Sequence, residues 1–198
     1  METRELGLYI GGMAFLIILS AYFSATETAF TSVNRIKLKN MAGDGNMRAK
    51  KVLLLEERYD TLLSTILVGN NIANIATTAI ATVFFVNLYG RYGPTISTIV
   101  ITVTVLIFGE ISPKNLAKEY PEKFAMFSAP LISLLMTVFT PINWIFAQWK
   151  KLLSVIFKTE VVPSITEDEL VTIVDEAFVT GGIDKEQNEM IQNAISFR

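Results

Sequence analysis

The chain has 198 residues, 51% of them apolar and 18% charged, with a formal net charge of −2. A soluble domain carries about 25% charged residues, and here the charges are also segregated: none falls in Thr61–Gly90, Tyr92–Gly109 or Phe124–Trp149. Uncharged runs of about 18 or more residues are long enough to cross a hydrocarbon core about 30 Å thick, so a soluble fold is excluded and an all-α integral membrane protein is expected. The absence of cysteine and histidine removes disulfides, thiolate chemistry, c-type haem, iron–sulfur clusters and the usual zinc, copper and nickel sites. Any bound metal must be held by oxygen, the preference of hard cations such as Mg²⁺, Ca²⁺, Mn²⁺ or Na⁺.

The first apolar stretch, Leu6–Phe23, continues in a helical pattern to about Val33. Its start lacks a basic region, because Glu2 and Glu5 offset Arg4, so residues 6–33 read as a permanent span and not as a cleaved signal. Residues 34–59 carry seven basic side chains against three acidic ones. By the positive-inside tendency this linker is cytoplasmic, which puts the N-terminus outside. Within it, Gly43-Asp44-Gly45-Asn46 reads as a turn between two short amphipathic helices.

A second span (about 61–88), a turn-rich loop (Tyr89–Pro94) and a third span (about 95–110) follow. The third is expected to stop early, at Gly109-Glu110-Ile111-Ser112-Pro113-Lys114, and Lys114, Lys118 and Lys123 mark a second cytoplasmic stretch. Residues 124–149 pose a parity problem, since a single crossing would carry Lys150, Lys151 and Lys158 outside. Pro130 and Pro141 are expected to break this segment into pieces too short to cross singly, giving a re-entrant or interfacial hairpin packed on protein.

Residues 1–158 thus form the membrane domain. Residues 159–198 form a cytosolic helical tail with nine acidic and two basic side chains. Thr166-Glu-Asp-Glu169 reads as a capping box that opens a helix, Gly181-Gly182 ends it, and Asp184 caps a second helix. The pattern is still helical at Phe197-Arg198, so a continuation is expected there.

Glu110 is the most informative residue. An acidic group at bilayer depth costs several kcal/mol, and it faces a cavity, a partner charge or an ion unless the helix simply ends in cytosolic water. Pro113 has no N–H for the carbonyl of Gly109 four residues earlier. A broken helix would therefore set a bare carbonyl and the negative end of a helix dipole beside a carboxylate, an arrangement that binds cations in transporters. In the second span, Asn70 and Asn74 share a helical face and could both reach one ion, while Asn71 points elsewhere and is expected to bond another helix. The plainer reading is that these amides glue helices together. Ser64 is a weaker candidate on the same span. Ser20, Ser24 and Thr28 form a stripe in the first span beside Ala21, Ala25 and Ala29. Close packing is its default explanation, with Ser24 as a possible neutral ligand. Glu27 is expected to pair with Arg35 or a linker lysine.

At these residues the sequence resembles the CorC/cyclin M (CNNM) family of magnesium transporters. The resemblance is carried by Phe23-Ser-Ala-Thr-Glu-Thr-Ala-Phe-Thr-Ser-Val-Asn34, Leu62-Leu-Ser-Thr-Ile-Leu-Val-Gly-Asn-Asn71, Phe108-Gly-Glu-Ile-Ser-Pro-Lys114 and the tail Glu169-Leu…Gly181-Gly-Ile-Asp…Glu189-Met-Ile191. It implies a homodimer in the plasma membrane with three crossing helices, a juxtamembrane helical belt, and a cytosolic connection to a nucleotide-binding CBS pair outside this chain, the one place where ATP would enter. It also implies Mg²⁺ export with Na⁺ as counter-ion. Its ion site would use Ser24, Asn70, Asn74, the Gly109 carbonyl and Glu110, with Ser20 or Ser64 nearby.

Two functions compete on these residues: a Mg²⁺ carrier working by alternating access, and a membrane-anchored Mg²⁺ sensor or scaffold that regulates another transporter. An enzyme is disfavoured, because no nucleophile–base pair or phosphate-cradling loop is present. The basic linker is explained by topology and anionic lipid and not by nucleic acid.

Overall fold

The computed structural model describes residues 3–157, 167–179 and 181–195. The chain divides into two compact units, residues 1–150 and 151–198. The first holds α1 (Thr3–Ser32), α2 (Arg35–Gly43), α3 (Met47–Glu56), α4 (Tyr59–Tyr89), a 3₁₀ turn (Gly90–Tyr92), α5 (Gly93–Thr104), a π-helical segment (Val105–Ile111), α6 (Ser112–Glu119), α7 (Pro121–Val138) and the start of α8 (Thr140–Phe157). Among the described residues no strand is present, as an all-α membrane fold requires.

Two helical stretches are long and apolar enough to cross a membrane, Arg4–Ser32 and Tyr59–Glu119. The second has 61 residues and would measure about 90 Å if straight, three times the hydrocarbon thickness. It folds back on itself instead, with α4 packed on α5. Two glycines make the reversal: Gly90 has φ +57°, and a Cβ on Gly93 would lie 2.5 Å from the backbone of Val86. Tyr59–Glu119 therefore makes two passes.

The order of contacts fixes the relative directions of the helices. Along α1 and α4, Tyr9 meets Phe84 (ring centroids 5.9 Å apart), Gly12 meets Ile80 and Phe23 meets Gly69, so the two helices run antiparallel. Ser20 meets Gly109 and Glu27 meets Lys114, so α1 runs parallel to the π segment and α6. Ser20, Ser24, Ala25, Thr28 and Ala29 are all buried, in keeping with small residues that let backbones approach.

The linker forms the two expected helices. Asn34 caps α2 by accepting from Lys37 N–H, and Asn46 caps α3 by accepting from Arg48 and Ala49 N–H. Their apolar faces (Leu38, Ala49, Val52, Leu55) join Phe23, Ala29 and Phe30 of α1, Leu62 and Ile66 of α4, and Ala125, Ala129, Ile132 and Met136 of α7 in one core. That core lies at the linker end of the bundle. Elsewhere, large apolar side chains such as Phe15, Ile18, Ile75, Ile99 and Phe108 are exposed, as lipid-facing surfaces are.

Two expectations are corrected. The third span does not stop at Gly109; the chain stays helical to Glu119, with the ladder widened to the π form over Val105–Ile111. Nor does Pro130 break residues 124–149, since α7 runs through it from Pro121 to Val138. An interior proline costs about 3 kcal/mol. Burying Ile132 and Met136 on the same helix returns about 1.5–3 kcal/mol each, enough to hold the helix together. The break falls at Phe139, where α7 and α8 meet at 73°, and Pro141 lies in the first turn of α8, where proline is tolerated.

In the second unit, α9 (Glu167–Val179) packs on α10 (Lys185–Ile195). Gly181, at φ +76°, follows the end of α9. Asp184 caps α10 reciprocally: its carboxylate accepts from Gln187 N–H at 2.8 Å, and its own N–H donates to Gln187 Oε1 at 3.1 Å. Thr166 of the expected capping box, Lys158 and Phe197-Arg198 lie outside the described residues.

Candidate ion site between α1, α4 and the π segment

The antiparallel α1–α4 pair brings Ser20 level with Asn70, and the hydroxyl donates to Asn70 Oδ1 over 2.9 Å. The π segment closes on the same point, where a Cβ on Gly109 would stand 3.2 Å from Ser20 Oγ. A side chain at 109 would press on the Ser20 hydroxyl, so glycine keeps this approach unstrained. One turn further along α4, Asn74 Nδ2 donates to Glu110 Oε1 over 3.4 Å. Glu110 is half-buried and lines a groove with Asn74 and Thr78 of α4 and Thr98, Ile101 and Thr102 of α5.

Two oxygens in this region are buried and receive no donor: Asn74 Oδ1 and Ser24 Oγ. Each such group costs about 1–3 kcal/mol, so it calls for a physical cause such as an ion. Asn74 presents its amide N–H to the carboxylate, which leaves its oxygen free on the other side. Ser24 lies one turn from Ser20 in the direction of α6. Asn74 lies one turn from Asn70 in the opposite direction, because the two helices are antiparallel. The level set by Ser20, Asn70 and Gly109 is thus the centre of the group, with Asn74 and Glu110 on one side and Ser24 on the other.

The π segment explains how Glu110 is delivered without a break. Ser112 N–H donates to the carbonyl of Ile107, five residues back. Continuing that register, Pro113 would serve Phe108; in the α register it would serve Gly109. Having no N–H, it serves neither. The widened turn absorbs the mismatch, as π segments do at functional sites.

Ser64 is not brought to this group. It donates to the carbonyl of Asp60 at 2.7 Å and to Asn143 Oδ1 at 3.1 Å, while Asn143 Nδ2 donates to Thr65 Oγ1 at 3.0 Å. Asn71 faces the same way and lines a cavity of about 690 Å³ with Ser64, Asp60 and Asn143. Glu27 pairs with Lys114 at 3.2 Å, whereas Arg35 pairs with Glu56 at 3.1 Å. The expected linker partner is lost because α1 runs alongside α6, while the chain turns away at Asn34.

Sequence reasoning missed Asn143 and the threonines Thr78, Thr98 and Thr102, which line a cavity of about 240 Å³ with Asn74 and Glu110. Their four-residue spacing on α5, and from Asn74 to Thr78 on α4, is the signal that was available. Among the described residues no three acidic side chains converge, and the carboxylate of this group is that of Glu110, set among neutral oxygens.

A family model described as the cyclin M transmembrane N-terminal domain matches residues 11–187. A UPF0053 protein of Haemophilus influenzae is 41% identical over 180 residues, covering 89% of this chain and 43% of that protein. The UPF0053 inner membrane protein YfjD of Escherichia coli is 40% identical over 163 residues, covering 80% and 38%. A polyamine export protein of E. coli is 27% identical over 193 residues, covering 90% and 43%. The chain therefore spans less than half the length of these relatives. With a family match across most of its length and helices that can cross a bilayer, the chain belongs to the cyclin M transmembrane-domain family and is a protein of the membrane.

Proposed function

We propose that this chain is the transport domain of a Mg²⁺ carrier, in which the ion is held by Asn70, Asn74, Glu110, the Gly109 carbonyl and a serine hydroxyl of α1. The observation that carries this reading is Asn74: its oxygen is buried without a donor while its nitrogen is held by Glu110. The donor set is hard oxygen throughout, which suits Mg²⁺, and its single formal charge suits an ion that must be released. Mg²⁺ sheds water reluctantly and prefers oxygens at about 2.0–2.1 Å, so it would enter with part of its shell. The π segment, joining the carboxylate to the proline, is the element able to change register as the site opens to one side and then the other. The positive balance of the linker supports an N-terminus outside the cell membrane and a cytosolic tail. Exchange against Na⁺ and assembly as a homodimer belong to the same proposal.

The test is flux in proteoliposomes under imposed Mg²⁺ and Na⁺ gradients. Glu110→Ala should abolish Mg²⁺ movement; undiminished flux would remove the carboxylate from the mechanism. Protein that binds Mg²⁺ and moves none would be the sensor and not the carrier.

A second reading, export of an organic polycation, is favoured by the relative named as a polyamine export protein. It requires acidic groups spaced along an extended molecule, and the proposed site offers Glu110 alone. Labelled spermidine carried across in place of Mg²⁺ would reverse the order of the two.

A further inference from the structure

Helix α3 presents two unlike faces. Ala49, Val52 and Leu55 are buried in the core shared with α4 and α7. Met47, Lys50 and Leu54, spaced three and four residues apart, lie together on the outer face, with Lys51 at its edge. Met47 is 73% and Leu54 52% exposed, and the two lysines stand between them. Among the described residues Lys50 and Lys51 have no carboxylate partner, nor do Arg48 at the flank and Arg58 just past the helix. Arg35 and Lys37 of α2, by contrast, are paired with Glu56 and Glu122. Glu57, next to Arg58 in the chain, is offset by it in charge.

The length of α4 fixes the depth of this face. Its 31 residues measure about 46 Å, which matches a bilayer with its headgroups at about 40–45 Å. Tyr59 and Tyr89 close its two ends and are both exposed, as tyrosines at a membrane–water boundary are. The chain passes from α3 to α4 through Glu57 and Arg58 alone. Val52 and Leu55 share their core with Leu62 and Ile66, which lie about 5 and 10 Å along α4 from Tyr59. Helix α3 therefore flanks the outermost 10 Å or so of the span, the layer of phosphates and first acyl carbons. Single apolar side chains in water are ordinary. Two of them bracketing two unpaired lysines at this depth form the pattern of an interfacial helix.

We infer that the outer face of α3 is a binding site for anionic phospholipid. Lys50 and Lys51 hold the headgroup phosphate, and Met47 and Leu54 seat beside the acyl chains. A zwitterionic lipid carries the same phosphate, but its own cation offsets the attraction of the lysines. A second copy of the chain is disfavoured as the occupant, because two such faces would bring like charges together. The inference needs the chain to be in a membrane and makes no use of the transported ion.

The full chain, purified in neutral detergent, would be given equal amounts of dioleoyl phosphatidylglycerol and dioleoyl phosphatidylcholine. Native mass spectrometry would count the lipids retained. A lysine near an anionic surface is worth about fivefold in binding. The parent should prefer phosphatidylglycerol, and Lys50→Gln combined with Lys51→Gln should cut that preference by about fivefold or more. Lys37→Gln, which removes an ammonium already held by Glu122, should leave it unchanged, and thermal melts establish that each variant is folded. Equal retention of the two lipids by the parent, or a preference untouched in the double variant, would overturn the site. The chain has no cysteine, so Leu54→Cys accepts a single bimane label. In phosphatidylglycerol vesicles, lipid brominated near the headgroup end of its acyl chain should quench that label. Quenching by a water-soluble quencher alone would place the face in water and overturn the inference.

Discussion

Ser20 and Asn70 are joined by a 2.9 Å hydrogen bond in which the hydroxyl donates and the amide oxygen accepts. The proton therefore lies between the two oxygens that a cation at this level would need. For both to ligate, the Ser20 hydroxyl must rotate and release Asn70, at a net cost of about 0.5–1.5 kcal/mol. Ser20→Ala removes one ligand oxygen, and Mg²⁺ affinity should fall about tenfold, or about 1.4 kcal/mol. Titration calorimetry in detergent measures this. Unchanged affinity would exclude Ser20 as a ligand.

Ser24 gives the complementary case. Its Oγ is buried and has no partner, so in metal-free protein the hydroxyl carries an unpaid desolvation cost of about 1–3 kcal/mol. Ser24→Ala should raise the thermal midpoint in chelator. If the raised midpoint comes with weakened Mg²⁺ binding, Ser24 is a ligand; if binding is untouched, the hydroxyl of the site is Ser20. A lowered midpoint in chelator would contradict the buried, partnerless placement.

Gly69 sets the distance between α1 and α4. A Cβ there would stand 2.3–2.8 Å from ring carbons of Phe23, a side chain only 4% exposed and so without room to withdraw. Gly69→Ala should cost about 1–3 kcal/mol of stability through overpacking. Because Asn70 is the next residue, pushing the helices apart should also separate Asn70 from Ser20 and abolish Mg²⁺ binding. Phe23→Leu combined with Gly69→Ala should recover both. Thermal melts of the single and double variants decide it, and additive losses would mean that ring and glycine do not meet.

Much of this arrangement was legible in the sequence because the bilayer imposes simple rules. Charge-free runs gave the spans, and Gly43-Asp44-Gly45-Asn46 gave the turn between the two linker helices. A glutamate between glycine and proline singled out Glu110, which the fold sets beside Asn74. What escaped depended on tertiary contacts. Proline at 113 predicted a lost hydrogen bond but not the π register that absorbs it, and proline at 130 predicted a break that burial of Ile132 and Met136 overrides. Ser64 and Asn70 share a helix and similar chemistry. Only the packing partners, Asn143 for one and Ser20 for the other, separate them. The choice of Lys114 for Glu27 likewise required knowing that α1 and α6 run side by side.

The juxtamembrane belt is clamped to α7 by Lys37 and Glu122, 3.0 Å apart. Burial opposes ionisation of Glu122, but the Lys37 hydrogen bond and charge, with backbone N–H support, outweigh it and hold the carboxyl below its ordinary value of 4.5. A depressed folded value means the carboxylate stabilises the fold at pH above about 4.5 and loses that contribution as pH falls through the folded value. Lys37 is largely exposed, with 61% of its side chain accessible, so screening limits the effect to about 1 kcal/mol or less. Glu122→Gln should lower the thermal midpoint at pH 7, and the gap from the parent should close as the medium is acidified through the depressed folded value. Melts of both proteins across that range test the sign. A gap that widens in acid would mean that Glu122 is held in its protonated form, and that the clamp between linker and α7 is not an ion pair.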